Sequence, residues 1–146
     1  TSLPTPIGAE QVNVETAHQM AEAVVAASAA ADALIMAAAV ADFRPIHAAE
    51  QKIKKTAVPE VLLEKTIDIL SAVAERRDTT GKPTVVVGFA AESQNLVENA
   101  KEKVFRKKLS LMVANDISAK DAGFSVDTNR VTFIGAAGGV EQLPLL

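Results

Sequence analysis

Two lysines on one predicted helix are the first candidates for binding an anion. The helix is predicted over residues 93–108, where Lys103 and Lys107 lie one turn apart with no Asp or Glu three or four residues away. Like charges at this spacing repel each other by a few tenths of a kcal/mol. The pair therefore predicts an external anion, and phosphate suits the point charge of an ammonium group. The alternative is a solvated basic helix end, which the helix dipole favours.

A second basic cluster lies in the predicted long connection after Pro45. Lys52, Lys54 and Lys55 occur within four residues. A loop can bring such a cluster over a triphosphate when ligand arrives. A solvent-exposed loop, or a pairing with Glu50, is the alternative.

Further candidates follow predicted buried strands. Asp42 could accept hydrogen bonds from ribose hydroxyls or hold a metal through water, or it could be a turn residue. The small residues Ala37 and Ala38 would let a ligand approach the main chain, or would allow close packing of a helix on the sheet. Phe89 could stack on a base or belong to the core.

Two more polar groups follow the same logic. Asp68 lies in the first turn of a helix predicted to start at Ile67. Its carboxylate could simply complement the helix dipole, or the free N–H groups of this helix start could bind a ligand. Asn115 and Asp116 follow a third predicted strand, and they could bind ligand or form a turn.

Strands and helices alternate along the chain, which predicts an α/β fold with a parallel sheet and a C-terminal antiparallel hairpin. Ligands of such sheets bind beyond the carboxyl ends of the strands. The helix starts are predicted at Thr16, with a capping-box Gln19, at Thr66 and at Ser93. Strands are predicted over 12–14, 33–38, 84–89, 109–114, 129–134 and 140–143, and helices over 16–31, 67–76 and 93–108.

The composition restricts the function classes. The 146 residues fit one domain, and the absence of Cys excludes disulfides and Cys-based metal sites. A net charge of −3 gives no reason to expect a nucleic-acid partner, and the short apolar runs predict no membrane span. We expect a reduced, cytoplasmic setting. The sequence contains no Walker motif, G-x-G-x-x-G or G-x-S-x-G.

Five motifs in order resemble the phosphopantothenate–cysteine ligase family, the phosphopantothenoylcysteine synthetase domains of bifunctional bacterial coenzyme A biosynthesis flavoproteins. They run over Ala37–Pro45, Lys52–Lys55, Gly88–Glu92, Lys103–Lys108 and Ala114–Ile117. The match covers nearly the whole chain from Ser2. The family's N-terminal Gly-rich strand–helix unit is not among these residues, and Ile67 stands where the family usually has Pro.

The resemblance implies a Rossmann-like, dimeric domain that uses CTP and Mg²⁺ to join 4'-phosphopantothenate and L-cysteine through an acyl-cytidylate. FMN would bind only in a fused decarboxylase domain outside this chain. An α/β dinucleotide-binding oxidoreductase fragment and a non-catalytic dimerisation module are the alternatives.

The resemblance also implies the site residues. Lys52 matches the first lysine of the family's active-site loop, and we expect it to be catalytic. The expected nucleotide-binding residues are Met36, Ala37, Ala38, Asp42, Lys52, Ile67, Asp68, Ile69, Leu70, Phe89, Lys103 and Lys107.

Overall fold

The computed structural model describes residues 4–47, 60–118 and 128–145. This part of the chain forms three helices and seven strands. No helix among these residues is long and apolar enough to cross a membrane. In chain order the elements are α1 (Ala17–Ser28), β1 (Ala33–Met36), β2 (Phe43–Pro45), β3 (Leu63–Lys65), α2 (Ile69–Thr80), β4 (Val85–Glu92), α3 (Leu96–Arg106), β5 (Leu111–Asp116), β6 (Val131–Gly135) and β7 (Val140–Gln142).

Five strands form one mixed sheet in the order β1-β4-β5-β6-β7. Strands β1, β4 and β5 are parallel, and β6 and β7 continue the sheet as an antiparallel hairpin. Strands β2 and β3 form a separate antiparallel ribbon. The predicted α/β fold, with parallel strands flanked by helices and a C-terminal hairpin, is confirmed.

The first helix begins as the sequence predicts. The Thr16 hydroxyl oxygen accepts a hydrogen bond from the Gln19 N–H at 3.1 Å, and the Gln19 side chain accepts one from the Thr16 N–H at 3.0 Å. This reciprocal capping box satisfies two N–H groups that have no partner inside the helix.

The other two helices begin later than predicted. Thr66 is not the cap of α2, because its hydroxyl donates to the Ala41 carbonyl at 2.5 Å and its N–H donates to the Asp42 carbonyl at 2.9 Å. The N-cap is Asp68, whose carboxylate accepts from the Ser71 N–H. Helix α3 starts after Asn95 and not after Ser93.

The strand predicted over 12–14 is wrong. The segment has no strand partner within the described residues, and Val12 is 64% exposed. An isolated strand has no ladder hydrogen bonds to stabilise it, so the apolar-polar alternation alone does not produce one.

The core lies on the helix-bearing face of the sheet. Leu34 and Leu70 contact both buried clusters, one centred on α3 and the other on α1 and α2. The alternate side chains point to the opposite face, where Ile35 is 67% exposed, so the strand predicted to be buried over 33–38 is buried on one face only. This packing brings the carboxyl ends of β1 and β4 next to the start of α2 and the side of α3.

Candidate functional site

A cleft of about 330 Å³ opens where β1 and β4 end, and it extends to the start of α2 and to α3. It lies beyond the carboxyl ends of parallel strands, where ligands of such sheets bind. Ten of the predicted site residues line it together. They are Met36, Ala38, Asp42, Ile67, Asp68, Ile69, Leu70, Phe89, Lys103 and Lys107.

The remaining predicted residues lie elsewhere. Ala37 lines a neighbouring pocket of about 180 Å³, which shares a wall with the cleft. Lys52 lies outside the described residues, together with Lys54 and Lys55. The role of the basic loop therefore stays a prediction.

Lys103 is held at the cleft by a mostly buried carboxylate. Its Nζ lies 2.5 Å from Glu92 Oε1 at the end of β4, and the Glu92 side chain is 11% exposed. Asn99 donates from Nδ2 to the other Glu92 oxygen at 3.2 Å. Burial raises the pKa of Glu92, but the hydrogen bonds from Lys103 and Asn99 and the charge of Lys103 lower it, with a net pKa below the usual value.

Lys107 is held by the cap of α2. Its Nζ lies 3.0 Å from Asp68 Oδ2 and 3.1 Å from Asp68 Oδ1. The Lys107 side chain is 19% exposed and that of Lys103 is 37% exposed, so the Lys107 side chain is the more enclosed of the two. Burial raises the pKa of Asp68. The hydrogen bonds from Lys107 and Ser71 and the charge of Lys107 lower it by more, so the net pKa lies below its usual value.

The prediction that Lys103 and Lys107 are unpaired is therefore wrong. Their own helix supplies no counter-charge, as predicted, but strand β4 and the cap of α2 do. Sequence reasoning missed Glu92 as the partner of Lys103, although its position just after a predicted strand was a usable signal.

The charges around the cleft do not favour an anion without further cations. Lys103 and Lys107 contribute two positive charges, whereas Asp42, Asp68 and Glu92 contribute three negative charges when ionised. A polyphosphate bound here needs additional cations.

Phe89 and the alanines form the apolar part of the cleft. Phe89 is 43% exposed, so it is not a core residue. Ala38 and Ala41 are exposed and carry no bulk, so a ligand can reach the main chain beside them. An exposed aromatic ring next to accessible main-chain groups can stack on a planar base and hydrogen-bond its edge.

The described residues do not form a metal-binding cluster. No three His, Cys, Asp or Glu side chains come together among residues 4–47, 60–118 and 128–145 in a way that could hold a metal ion. The carboxylates of Asp68 and Glu92 are instead engaged by lysines.

Curated relatives match nearly the whole chain. The bifunctional coenzyme A biosynthesis protein CoaBC of Bacillus subtilis is 42% identical over an alignment of 147 positions that covers 99% of this chain and 35% of that protein. The Vibrio vulnificus protein of the same name is 40% identical over an alignment of 147 positions that covers 99% of this chain and 36% of that protein. The chain thus spans about a third of the length of the curated relatives it matches.

Solved structures show the same fold. The C-terminal domain of a CoaBC protein is 35% identical with a TM-score of 0.74, and the match covers 99% of this chain and 61% of that one. A Streptococcus pneumoniae flavoprotein structure is 20% identical with a TM-score of 0.71, which supports the fold alone. The sequence model of one protein family, the DNA/pantothenate metabolism flavoprotein C-terminal domain, matches residues 1–146. The chain therefore belongs to the family of DNA/pantothenate metabolism flavoprotein C-terminal domains.

Proposed function

We propose that this domain carries the nucleotide site of a CTP-dependent ligase that joins 4'-phosphopantothenate to L-cysteine. Family membership and the relatives' part in coenzyme A biosynthesis support this proposal. The single observation that carries it is the convergence of Lys103 and Lys107 with Asp42 and Phe89 on one cleft. Ammonium, carboxylate and aromatic groups in that arrangement suit the phosphates, ribose and base of a nucleotide.

The proposed reaction has two steps. A carboxylate oxygen of phosphopantothenate attacks the α-phosphorus of CTP, and pyrophosphate leaves to give an acyl-cytidylate. The cysteine amine then attacks the acyl carbon, where a C–N bond forms and the C–O bond to CMP breaks. CMP leaves with the electron pair of that bond, and the amine releases a proton to solvent.

The described side chains suit positioning and charge stabilisation. Lys103 and Lys107 would contact phosphate oxygens, Asp42 would accept hydrogen bonds from the ribose, and Phe89 would pack against the base. Such a reaction needs neutralised charge and alignment of the reacting atoms, and it requires no His or Cys nucleophile.

Because more negative than positive side chains surround the cleft, a bound triphosphate would need further cations. Lys52 would supply one from its loop as a catalytic residue. Mg²⁺ would supply charge neutralisation when it arrives with the triphosphate, but the described side chains form no cluster of their own to hold it. We propose that the domain acts as a homodimer.

The test is product formation by the complete protein. CTP, 4'-phosphopantothenate and cysteine should yield CMP, pyrophosphate and the amide in equal amounts, and omission of cysteine should stop amide formation. Lys103→Gln should weaken CTP binding and so slow this reaction at limiting CTP. Lys101→Gln is its control, because Lys101 is on the same helix and does not line the cleft. Absence of CTP-dependent amide formation by the unaltered protein overturns the proposal.

A further inference from the structure

The pocket beside the cleft is smaller and carries one distinctive polar side chain. Its volume is about 180 Å³, and Ala38, Ala39, Phe89, Ala90 and Ala91 line both cavities. Ala37, Asn115 at the end of β5, and Ile117 line the pocket but not the cleft. A molecule in this pocket would therefore lie next to the ligand of the cleft.

The side-chain oxygen of Asn115 lacks a hydrogen bond. Oδ1 is buried and has no partner among the described residues. A buried acceptor without a donor costs folding free energy, and such groups in native proteins call for an explanation. The χ2 torsion of Asn is soft, so a donor that enters the pocket can draw the oxygen toward itself.

We propose that the Asn115 pocket is the subsite for the amine substrate, a small α-amino acid whose N–H group donates to Asn115 Oδ1. The inference rests on the proposed function, because that reaction needs an amine next to the activated acyl group. The pocket volume lies below the roughly 300 Å³ at which pockets for larger ligands begin. The alanine and isoleucine walls suit a short, weakly polar side chain.

The position of Asn115 in the sheet supports this assignment. Asn115 is the register partner of Ala91 on β4, and Ala91 lines the cleft as well as the pocket. Glu92 follows Ala91 and points to the α3 face, where it holds Lys103. The Asn115 pocket and Lys103 thus lie at the same end of β4, so an acyl group at that end can be reached from both.

Asn115→Leu in the complete protein tests the inference. The substitution keeps the approximate shape and removes the acceptor, so we expect the KM for cysteine to rise at least about fivefold. The Kd for CTP should stay within about twofold, because the phosphate and ribose contacts are intact. Ile117→Phe narrows the pocket without altering Asn115, and it should raise the same KM.

Asn129→Leu is the matched control, because Asn129 Oδ1 is also buried and has no hydrogen-bond partner in the described part of the chain, but Asn129 does not line the pocket. It should leave the KM for cysteine unchanged. An unchanged cysteine KM in both Asn115→Leu and Ile117→Phe, with the unaltered protein active, overturns the amine subsite but leaves the proposed function in place. A weakened CTP Kd with an unchanged cysteine KM also overturns it and assigns the pocket to the nucleotide. An inactive unaltered protein overturns the proposed function itself.

Discussion

Lys107 Nζ lies 3.0 Å from Asp68 Oδ2, so that the end of α3 is tied to the N-cap of α2 across the cleft. The contact joins residues 39 positions apart in the chain. Asp68 thus has two tasks: its carboxylate pairs with Lys107, and the same carboxylate caps α2 by accepting a hydrogen bond from the Ser71 N–H. The relationship links the stability of α2 to the position of an ammonium group that we propose binds phosphate.

Replacement of Asp68 separates those two tasks. Asn is as good an N-cap as Asp, so Asp68→Asn should keep α2 and lose the charge that holds Lys107. Asp68→Ala loses the cap as well, and its free energy of unfolding should fall by about 1 kcal/mol more than that of Asp68→Asn. Urea denaturation at neutral pH measures both values. Equal losses in the two variants would show that the cap contributes nothing.

Neutralisation of either cleft lysine should weaken nucleotide binding. Lys103→Gln and Lys107→Gln each remove a charge-assisted donor, and we expect the Kd for CTP to rise about tenfold or more. Titration calorimetry measures this change, with Lys101→Gln as the control. If CTP binds both variants as tightly as the unaltered protein, the lysines are merely solvated or structural.

The lowered pKa values of Glu92 and Asp68 make the free energy of unfolding depend on pH in the acid range. The folded-state pKa of Glu92 lies below its ordinary value of 4.5, and that of Asp68 lies below 3.8. Their contribution is complete above those ordinary values and is lost as the pH falls through the lowered folded values. The free energy of unfolding should therefore fall with decreasing pH in this range.

Glu92→Gln removes one of the titrating groups and provides the comparison. Its free energy of unfolding should be lower at neutral pH but should change less between about pH 6 and about pH 3.5 than that of the unaltered protein. Denaturant titrations at the two pH values give both differences. Parallel pH profiles would mean that Glu92 titrates normally in the folded state.

A close approach at Gly88 supports the packing beneath the cleft. A Cβ at this position would lie 2.8 Å from Leu109 Cδ1, and Leu109 is 2% exposed. Gly88→Ala should therefore destabilise the fold by about 1–3 kcal/mol through overpacking. Gly139→Ala is the control, because a Cβ there meets nothing within 4 Å, and it should change stability by less than about 0.5 kcal/mol. Similar stabilities of the two variants would contradict the close packing.

Local signals predicted much of this fold. The Thr16–Gln19 capping box was readable because both partners lie within one turn. The continuous apolar runs predicted β4 and β5, although both strands extend beyond the predicted residues. Each of these features depends on neighbours in the sequence.

Contacts between distant segments were not predictable in the same way. The partner of Lys103 lies 11 residues away on another element, and that of Lys107 lies 39 residues away. Thr66 had the right residue type for a helix cap, but its hydroxyl bonds to Ala41 instead. A local pattern does not reveal that competition, because the competing carbonyl belongs to a segment brought close by the fold.

Titration calorimetry of the complete protein with CTP, ATP and NAD tests the central claim most directly. We expect saturable CTP binding that is tighter than binding of either other nucleotide, and we expect it to weaken in Lys103→Gln and Lys107→Gln. Tighter binding of NAD, or CTP binding that is insensitive to both substitutions, would contradict the assignment of this cleft to the cytidine nucleotide of a ligase.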